Sequence, residues 1–133
     1  MKGRLWSVVL AAGTGKRLSN RTGGIPKQFW RPHGRPSLLE ETLARLTPIC
    51  PAERTVIVVG DQQRKHVRSW PAYRRSGRVV FQPADRGTAA GVLFGLLPVL
   101  VADPDGVVVL TPSDQGVRNA GVFRAGILEA IAH

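Results

Sequence analysis

Four short apolar runs, rich in β-branched residues, alternate along the chain with stretches that have helical spacing. The runs are Trp6–Leu10, Thr55–Val59, Arg78–Phe81 and Val107–Leu110, and turn residues follow each of them. Nearly continuous apolar runs of this length are typical of strands that are buried on both faces. Strands that alternate with helices favour a parallel sheet with right-handed crossovers. We therefore predict an α/β fold in which helices cover a mostly parallel sheet.

The helical stretches are Pro36–Leu46, a helix from an Asp61 N-cap through Trp70, Thr88–Leu100 and Ala120–His133. The first carries an apolar stripe and leaves Arg45 outside that stripe. Thr88–Leu100 is apolar on most sides, as a helix pressed into a sheet would be. The last helix reaches His133 without a C-capping glycine, so we expect the domain to be incomplete at its C-terminus.

The chain has 133 residues, of which 43% are apolar, and this suffices for one domain with a hydrophobic core. The longest apolar stretch, Leu93–Ala102, is too short for a bilayer and contains Pro98. The single cysteine, Cys50, allows neither a disulfide framework nor a zinc site. We therefore predict a cytoplasmic protein without a membrane partner.

A formal net charge of +10 attracts polyanions, a class that includes nucleic acids and phosphorylated metabolites. Aromatic residues are few and do not alternate with arginines, whereas single-stranded nucleic acids are usually bound on aromatic stacking platforms. The loose concentration of arginines from Arg64 to Arg78 also fits a solvated basic face. The sequence therefore does not favour a nucleic-acid partner, although the charge keeps a nucleic-acid-binding protein as an alternative.

A glycine-rich segment, A-A-G-T-G-K-R-L at residues 11–18, follows the first predicted strand. Gly13 and Gly15 let the backbone come close to a ligand, and consecutive amide groups in such a turn form an anion-binding concavity. Lys16 and Arg17 add positive charge. The spacing matches neither the dinucleotide-binding fingerprint nor a Walker loop. On spacing alone, a phosphate-binding loop and a tight turn with exposed cations fit this segment equally well.

Two further segments carry side chains suited to a phosphorylated ligand. Lys27, in P-K-Q-F, is either a point charge that holds a phosphate or a solvated surface lysine. Gln82, at the end of the third predicted strand, has an amide that can read a base edge, and Gly87 and Thr88 begin a helix whose N-terminus favours anions. A capped turn, with Asp85 or Thr88 as the cap, fits the second segment equally well.

Asp114 follows the fourth predicted strand, in T-P-S-D-Q. A carboxylate at the carboxyl end of a strand can anchor Mg²⁺, which keeps waters and substrate phosphates as its other ligands. A turn aspartate is the alternative. The sequence shows no nucleophile paired with a base. All the candidate residues lie at the carboxyl ends of predicted strands, where parallel sheets bind their ligands.

Taken in order, the segments L-A-A-G-T-G-K-R-L, P-K-Q-F, Q-P-A-D-R-G-T-A-A and T-P-S-D resemble the sugar-1-phosphate nucleotidyltransferases. The last two segments are most similar to those of the mannose-1-phosphate guanylyltransferases. The A-A-G form also occurs in cytidylyltransferases, which share P-K-Q, so a cytidylyltransferase of similar fold remains an alternative. Members of the family continue well past this length, and a nucleotide-binding module without catalysis is therefore a further alternative.

The resemblance implies that residues 1–133 form the nucleotide-binding part of a Rossmann-like, three-layer nucleotidyltransferase domain. It implies catalytic roles for Arg17 and Lys27, which would hold the reacting phosphates, and it implies that Asp114 holds Mg²⁺. The implied nucleotide-binding residues are Leu10, Ala11, Ala12 and Gly13 beside the base, Gly13, Thr14, Gly15, Lys16 and Arg17 around the triphosphate, and Gln82, Gly87 and Thr88 near base and ribose.

The resemblance further implies GTP and a sugar 1-phosphate, namely mannose 1-phosphate, as partners. An oxygen of the sugar 1-phosphate would attack the α-phosphate of GTP and release pyrophosphate. Such a transfer depends on positioning and charge neutralisation and needs no protein nucleophile. The sequence leaves open whether the protein forms a homo-oligomer.

Overall fold

The computed structural model describes residues 3–13, 19–70 and 73–133. The strands form one parallel sheet in the order β3-β2-β1-β4. They are β1 (Leu5–Leu10), β2 (Thr55–Gly60), β3 (Arg78–Gln82) and β4 (Val107–Pro112). In the centre of the sheet, Val8 pairs with Val56 on one side and with Leu110 on the other. The predicted strands and the parallel Rossmann-like sheet are confirmed.

The α-helices of the described residues are α1 (Ser19–Thr22), α2 (Leu38–Leu46), α3 (Arg64–Arg68), α4 (Tyr73–Ser76), α5 (Thr88–Ala102) and α6 (Ala120–Ala132). Short 3-10 turns lie at Lys27–Phe29, Pro32–Gly34, Ala52–Arg54 and Asp61–Gln63. A capping box of Ser37 and Glu40 starts α2, and the side chain of Asn119 caps α6. None of the helices in the described ranges is long and apolar enough to cross a membrane.

The predicted helix from an Asp61 N-cap through Trp70 is wrong over its first three residues, and the α-helix ends at Arg68. Asp61–Gln63 is a 3-10 turn, and the α-helix begins only at Arg64. The Asp61 carboxylate accepts a hydrogen bond from Arg64 Nε at 2.6 Å instead of capping a helix. The backbone N–H of Gly60 donates to Gln63 Oε1 at 3.2 Å, so the glutamine satisfies the donor at the end of β2.

The sheet is covered on both faces. On one face Leu39, Leu43 and Leu46 of α2, Val67 of α3 and Trp70 pack against Val9, Ala11, Ile57 and Val59, and Phe123 and Ile127 of α6 lie against the same core. On the other face α5 packs against Val8, Val56 and Val58. Along the chain, β2 and then β3 are added on one side of β1, and β4 pairs with the other side of β1. The order of the strands therefore reverses between β1 and β4, and such switch points bind ligands in open parallel sheets.

Helix α5 meets the sheet through its smallest residues. Gly91, Gly95 and Val99 are its buried positions and lie on one side of the helix. A Cβ atom at Gly95 would stand 2.5 Å from Val8 Cγ1 and 2.7 Å from Val58 Cγ2. The absence of a side chain at Gly95 therefore allows the helix to lie close to β1 and β2.

Candidate functional site

A cavity of about 270 Å³ opens at the carboxyl ends of β1, β2 and β3. Its walls come from the end of β1, from Gln82, and from the turn that leads into α5. The lining residues are Leu10, Ala12, Gly13, Val58, Gln82, Asp85, Gly87, Thr88 and Gly91. Six of the predicted nucleotide-binding residues therefore border one cavity: Leu10, Ala12, Gly13, Gln82, Gly87 and Thr88.

Ala11 takes a different position from its neighbours. Its side chain is only 1% exposed and belongs to the hydrophobic core beneath the sheet edge. Its backbone N–H donates to the carbonyl of Val58 at 2.7 Å, which extends the pairing of β1 with β2 by one residue. On the other side of β1, Ser113 N–H donates to the carbonyl of Leu10 at 3.1 Å. Hydrogen bonds to both neighbouring strands thus hold the end of β1.

Two buried glutamines converge on the backbone that follows β1. The Nε2 of Gln28 donates to the carbonyls of Ala11 at 2.7 Å and of Gly13 at 2.8 Å. The Nε2 of Gln63 donates to the same Gly13 carbonyl at 2.7 Å. Gln28 and Gln63 are 3% and 2% exposed. The sequence interpretation gave neither glutamine a role; the P-K-Q motif was the available signal for Gln28, and no local pattern marks Gln63.

The turn before α5 is ordered by a side chain that does not cap the helix. Asp85 Oδ1 accepts the backbone N–H of Gly87 at 3.0 Å, and the N-cap residue is Gly87 itself, without a side-chain hydrogen bond to the first turn. Gly87 has φ +85°, a conformation that side chains rarely adopt. Asp85 therefore caps this turn, as expected under the alternative of a capped turn. Because Gly87 and Thr88 line the cavity, the positive end of α5 lies at its wall.

Lys27 and Asp114 face each other beside the switch point, outside the residues that line the cavity. Lys27 Nζ lies 3.9 Å from Asp114 Oδ2, and the two side chains are 35% and 49% exposed. Lys27 begins the 3-10 turn that also carries Gln28, and Asp114 follows β4. A partly exposed ion pair of this kind contributes little to stability. Because both side chains are partly exposed, both charges are accessible to a ligand.

Asp114 fits the role of the single protein carboxylate that binds Mg²⁺, and the other ligands would come from substrate and water. Within the described ranges, no group of three or more histidine, cysteine, aspartate or glutamate residues is arranged to hold a metal ion. Mg²⁺ is commonly bound through one or two carboxylates together with substrate phosphates and water. The half-exposed carboxylate of Asp114 suits that mode, in which most ligands come from the substrate.

Thr14, Gly15, Lys16 and Arg17, which the sequence predicts around the triphosphate, lie outside the described residues. Gly13 is the last described residue before them.

Arg45 is a buried cation, and its predicted position is wrong. It was predicted outside the apolar stripe of α2, yet it is only 8% exposed. Its Nη2 donates to Thr42 Oγ1 at 3.2 Å and to the carbonyl of Gln115 at 3.3 Å, and its guanidinium lies 5.4 Å from the ring centroid of Phe123. Burial lowers the pKa of Arg45, and the charge of Glu41 partly opposes that shift. Arg45 thus ties α2 to the turn that carries Asp114.

Known proteins share both the sequence pattern and the fold. Mannose-1-phosphate guanylyltransferase of Escherichia coli is 29% identical over 131 residues, with 92% of this chain and 26% of that protein covered. Mannose-1-phosphate geranyltransferase from Thermus thermophilus has a TM-score of 0.80 at 30% identity, with 97% of this chain and 37% of that one covered. The inositol-1-phosphate CTP transferase from T. maritima has a TM-score of 0.63 at 26% identity, with 86% and 44% covered.

The chain spans about a quarter of the length of the curated relatives it matches. Residues 7–131 match the family described as MobA-like NTP transferase domain. That match covers most of β1, the whole of the other three strands and every residue that lines the cavity, and it agrees with the resemblance inferred from the ordered motifs. The chain belongs to the MobA-like NTP transferase domain family.

Proposed function

We propose that this chain is the nucleotide-binding part of a sugar-1-phosphate nucleotidyltransferase that makes GDP-mannose from GTP and mannose 1-phosphate in the cytoplasm. The observation that carries the proposal is the cavity at the carboxyl ends of the strands, which is bordered by Leu10, Gly13, Gln82 and Thr88. These residues come from two of the ordered motifs, and they meet beside the point where the strand order reverses. The mannose-1-phosphate guanylyltransferases among its relatives favour this choice of substrates.

The walls of the cavity suit a nucleotide. A Cβ atom added at Gly13 or Gly87 would meet no atom within 4 Å, so a ligand can approach the backbone at both positions. Gln82 supplies an amide that can donate to and accept from a base edge. The N-terminus of α5 favours a phosphate because its first N–H groups have no side-chain cap.

In the proposed reaction, an oxygen of the sugar 1-phosphate attacks the α-phosphorus of GTP, and the bond to the β-phosphate oxygen breaks to release pyrophosphate. Lys27 and Arg17 neutralise charge on the phosphates that react. Magnesium, held through Asp114 and the phosphates, would supply further charge neutralisation when bound. A protein nucleophile is not required, because positioning and electrostatic stabilisation carry a transfer of this kind.

A cytidylyltransferase is the second candidate, and two observations favour it. The A-A-G form at Ala11–Gly13 together with P-K-Q also occurs in cytidylyltransferases, and the inositol-1-phosphate CTP transferase has the same fold at 26% identity. The choice between GTP and CTP depends on the groups that face the base, and Gln82 can hydrogen-bond to either base.

The first test is to titrate the chain with GTP, CTP, ATP and UTP by calorimetry, and then to measure pyrophosphate release with mannose 1-phosphate and Mg²⁺. We expect GTP to bind most tightly and Lys27→Met to lower pyrophosphate release by about 100-fold, because a charge at the reacting phosphates is lost. Lys65→Met is the matched control, since Lys65 is an exposed lysine on α3 that belongs to none of the ordered motifs.

Preference for CTP would replace the guanylyltransferase with the cytidylyltransferase. Binding of a triphosphate without turnover would reduce the proposal to a nucleotide-binding module. If no nucleoside triphosphate binds, or if both lysine variants lose the same activity, the proposed site is wrong.

A further inference from the structure

We infer that Gln28 and Gln63 are positioning residues for the nucleotide site, which hold the carbonyl of Gly13 and so set the direction of the backbone where it begins the glycine-rich segment. The inference rests on the proposed function, because it assumes that this segment binds the triphosphate. It goes further by assigning two residues that touch no ligand and act through the backbone.

The Gly13 carbonyl and the two glutamine amides are joined by hydrogen bonds. A carbonyl oxygen accepts two hydrogen bonds, and the Gly13 oxygen receives one from Gln28 at 2.8 Å and one from Gln63 at 2.7 Å. The second N–H of Gln28 goes to the carbonyl of Ala11 at 2.7 Å. The remaining partner of Gln63 is Gly60 N–H, which donates to its Oε1 at 3.2 Å. Each amide orientation is dictated by its partners, because carbonyls only accept and a backbone N–H only donates.

This arrangement restricts the backbone at the border of the cavity. The ψ angle of Gly13 decides where its carbonyl points, so a carbonyl held in one direction also restricts the backbone angle of Gly13 itself. Gly13 has no side chain to restrict its own dihedral angles, and the two glutamines supply the restraint from outside. A backbone that is already held in one direction costs less reorganisation when a ligand arrives than a backbone that must first be ordered.

The same two side chains connect the parts of the proposed site. Gln28 directly follows Lys27 in one 3-10 turn, so its bonds to Ala11 and Gly13 also set the position of Lys27 relative to the end of β1. Gln63 reaches from the turn after β2 to Gly13, across 50 residues of sequence. Simple satisfaction of this backbone carbonyl would need only one donor. The convergence of two donors from two separate turns on one oxygen points to a positioning role.

Gln63→Glu tests one of the two hydrogen bonds of Gln63 while the other is kept. The variant keeps the oxygen that accepts from Gly60 N–H and loses the donor to Gly13. Gln62→Glu is the matched control, since it adds the same charge to an exposed neighbour in the same 3-10 turn. A buried carboxyl group has a raised pKa and becomes an O–H donor when it is protonated. The lost hydrogen bond can therefore be restored in the same protein by lowering the pH.

The measurement is the ratio of the dissociation constants for GMP and GTP, or for CMP and CTP if the chain prefers cytidine, at about pH 8 and about pH 5. Relative to Gln62→Glu, we expect Gln63→Glu to weaken triphosphate binding by about tenfold at the higher pH, which corresponds to about 1.4 kcal/mol. Monophosphate binding should change much less, and the defect should shrink at the lower pH. Gln28→Glu loses two donors, to Ala11 and to Gly13, and a protonated carboxyl group restores at most one of them, so its defect should recover less at the lower pH.

A purely structural role would lower the unfolding midpoint and change the affinities for monophosphate and triphosphate by the same factor. That result, or equal behaviour of Gln63→Glu and Gln62→Glu at both pH values, overturns the positioning role while leaving the proposed function in place. Failure of the unsubstituted chain to bind any nucleoside triphosphate overturns the proposed function and this inference together, and it is recognised before any variant is compared.

Discussion

The two faces of the sheet are built on opposite principles. The face beneath α2 and α3 is covered by large side chains that point inward, such as Leu39 and Leu46, which are both 1% exposed. The centre of the face beneath α5 is covered by Gly91, Gly95 and Val99, Phe94 and Leu96 pack partly against the same core, and other large residues of the helix point outward. Leu93 is 66% exposed, Leu97 56% and Val101 85%. The first face gains stability from burying leucines, whereas the second gains it from close approach of the backbone.

The difference shows when the distribution of apolar residues around a helix identifies the side that packs on the sheet. In α2, apolar and charged residues occupy opposite sides except for the buried Arg45, and the apolar side lies on the sheet as the pattern predicts. In α5 almost every position is apolar, so the pattern does not identify the side that packs. Sterics decide it, because the valines of β1 and β2 leave no room for a side chain at Gly95. The predicted packing of α5 on the sheet is thus correct for the side that carries Gly91, Gly95 and Val99.

The same leucine-to-alanine change on the two faces gives the largest expected contrast. Leu39→Ala leaves a cavity in the covered core, and we expect it to lower the free energy of unfolding by about 3 kcal/mol. Leu97→Ala removes a side chain that is already 56% exposed, so the loss should stay below about 0.5 kcal/mol. Urea unfolding of both variants measures this. Equal losses would contradict the difference between the faces.

A smaller effect is expected for adding a methyl group to the glycine side of α5. Gly95→Ala forces Val8 or Val58 to move, and we expect a loss of about 1–2 kcal/mol from overpacking. Gly126→Ala in α6 is the control, because a Cβ atom there meets nothing within 4 Å. That variant should gain about 0.5–1 kcal/mol from the higher helix propensity of alanine. A gain in both variants would show that α5 does not depend on close approach.

The smallest effect concerns the pH dependence of stability on the face beneath α2 and α3. The His66 ring stacks on Phe29 at a centroid distance of 5.6 Å. Burial, and to a smaller extent the charge of Lys65, lowers the pKa of His66 below 6.5. Protonation therefore favours the unfolded chain, and the stability contributed by neutral His66 is present above about pH 6.5 and is lost as the pH falls below it.

His66→Phe keeps an aromatic ring beside Phe29 and removes the titration. We expect the urea midpoint of this variant to fall less than that of the unsubstituted protein between about pH 7.5 and about pH 5.5. His33→Asn, which removes an exposed imidazole, should retain the full pH response. An unchanged pH response in His66→Phe would rule out His66 as its source.

Much of the fold and part of the candidate site were predictable from local patterns. The strands were predicted because continuous β-branched runs mark strands buried on both faces. Six nucleotide-binding candidates were found to line one cavity because residues that follow parallel strands collect at one edge of the sheet. The roles of Arg45 and Gln63 were missed because no local pattern marks a polar residue that becomes buried, and the role of Gln28 was missed although it lies in the P-K-Q motif. Asp61 was misjudged because Arg64 competes for its carboxylate.

The sequence by itself determined the four strands, their alternation with helices and the placement of chemically useful residues after each strand, since these features depend on patterns within about 15 residues. The tertiary structure alone decided which side of α5 meets the sheet and which side chains hold the site together. Gln63 reaches Gly13 across 50 residues, and Arg45 reaches Gln115 across 70. The reason is physical: a hydrogen bond or a steric limit between distant segments exists only after folding has brought them together, so no local pattern can encode it in advance.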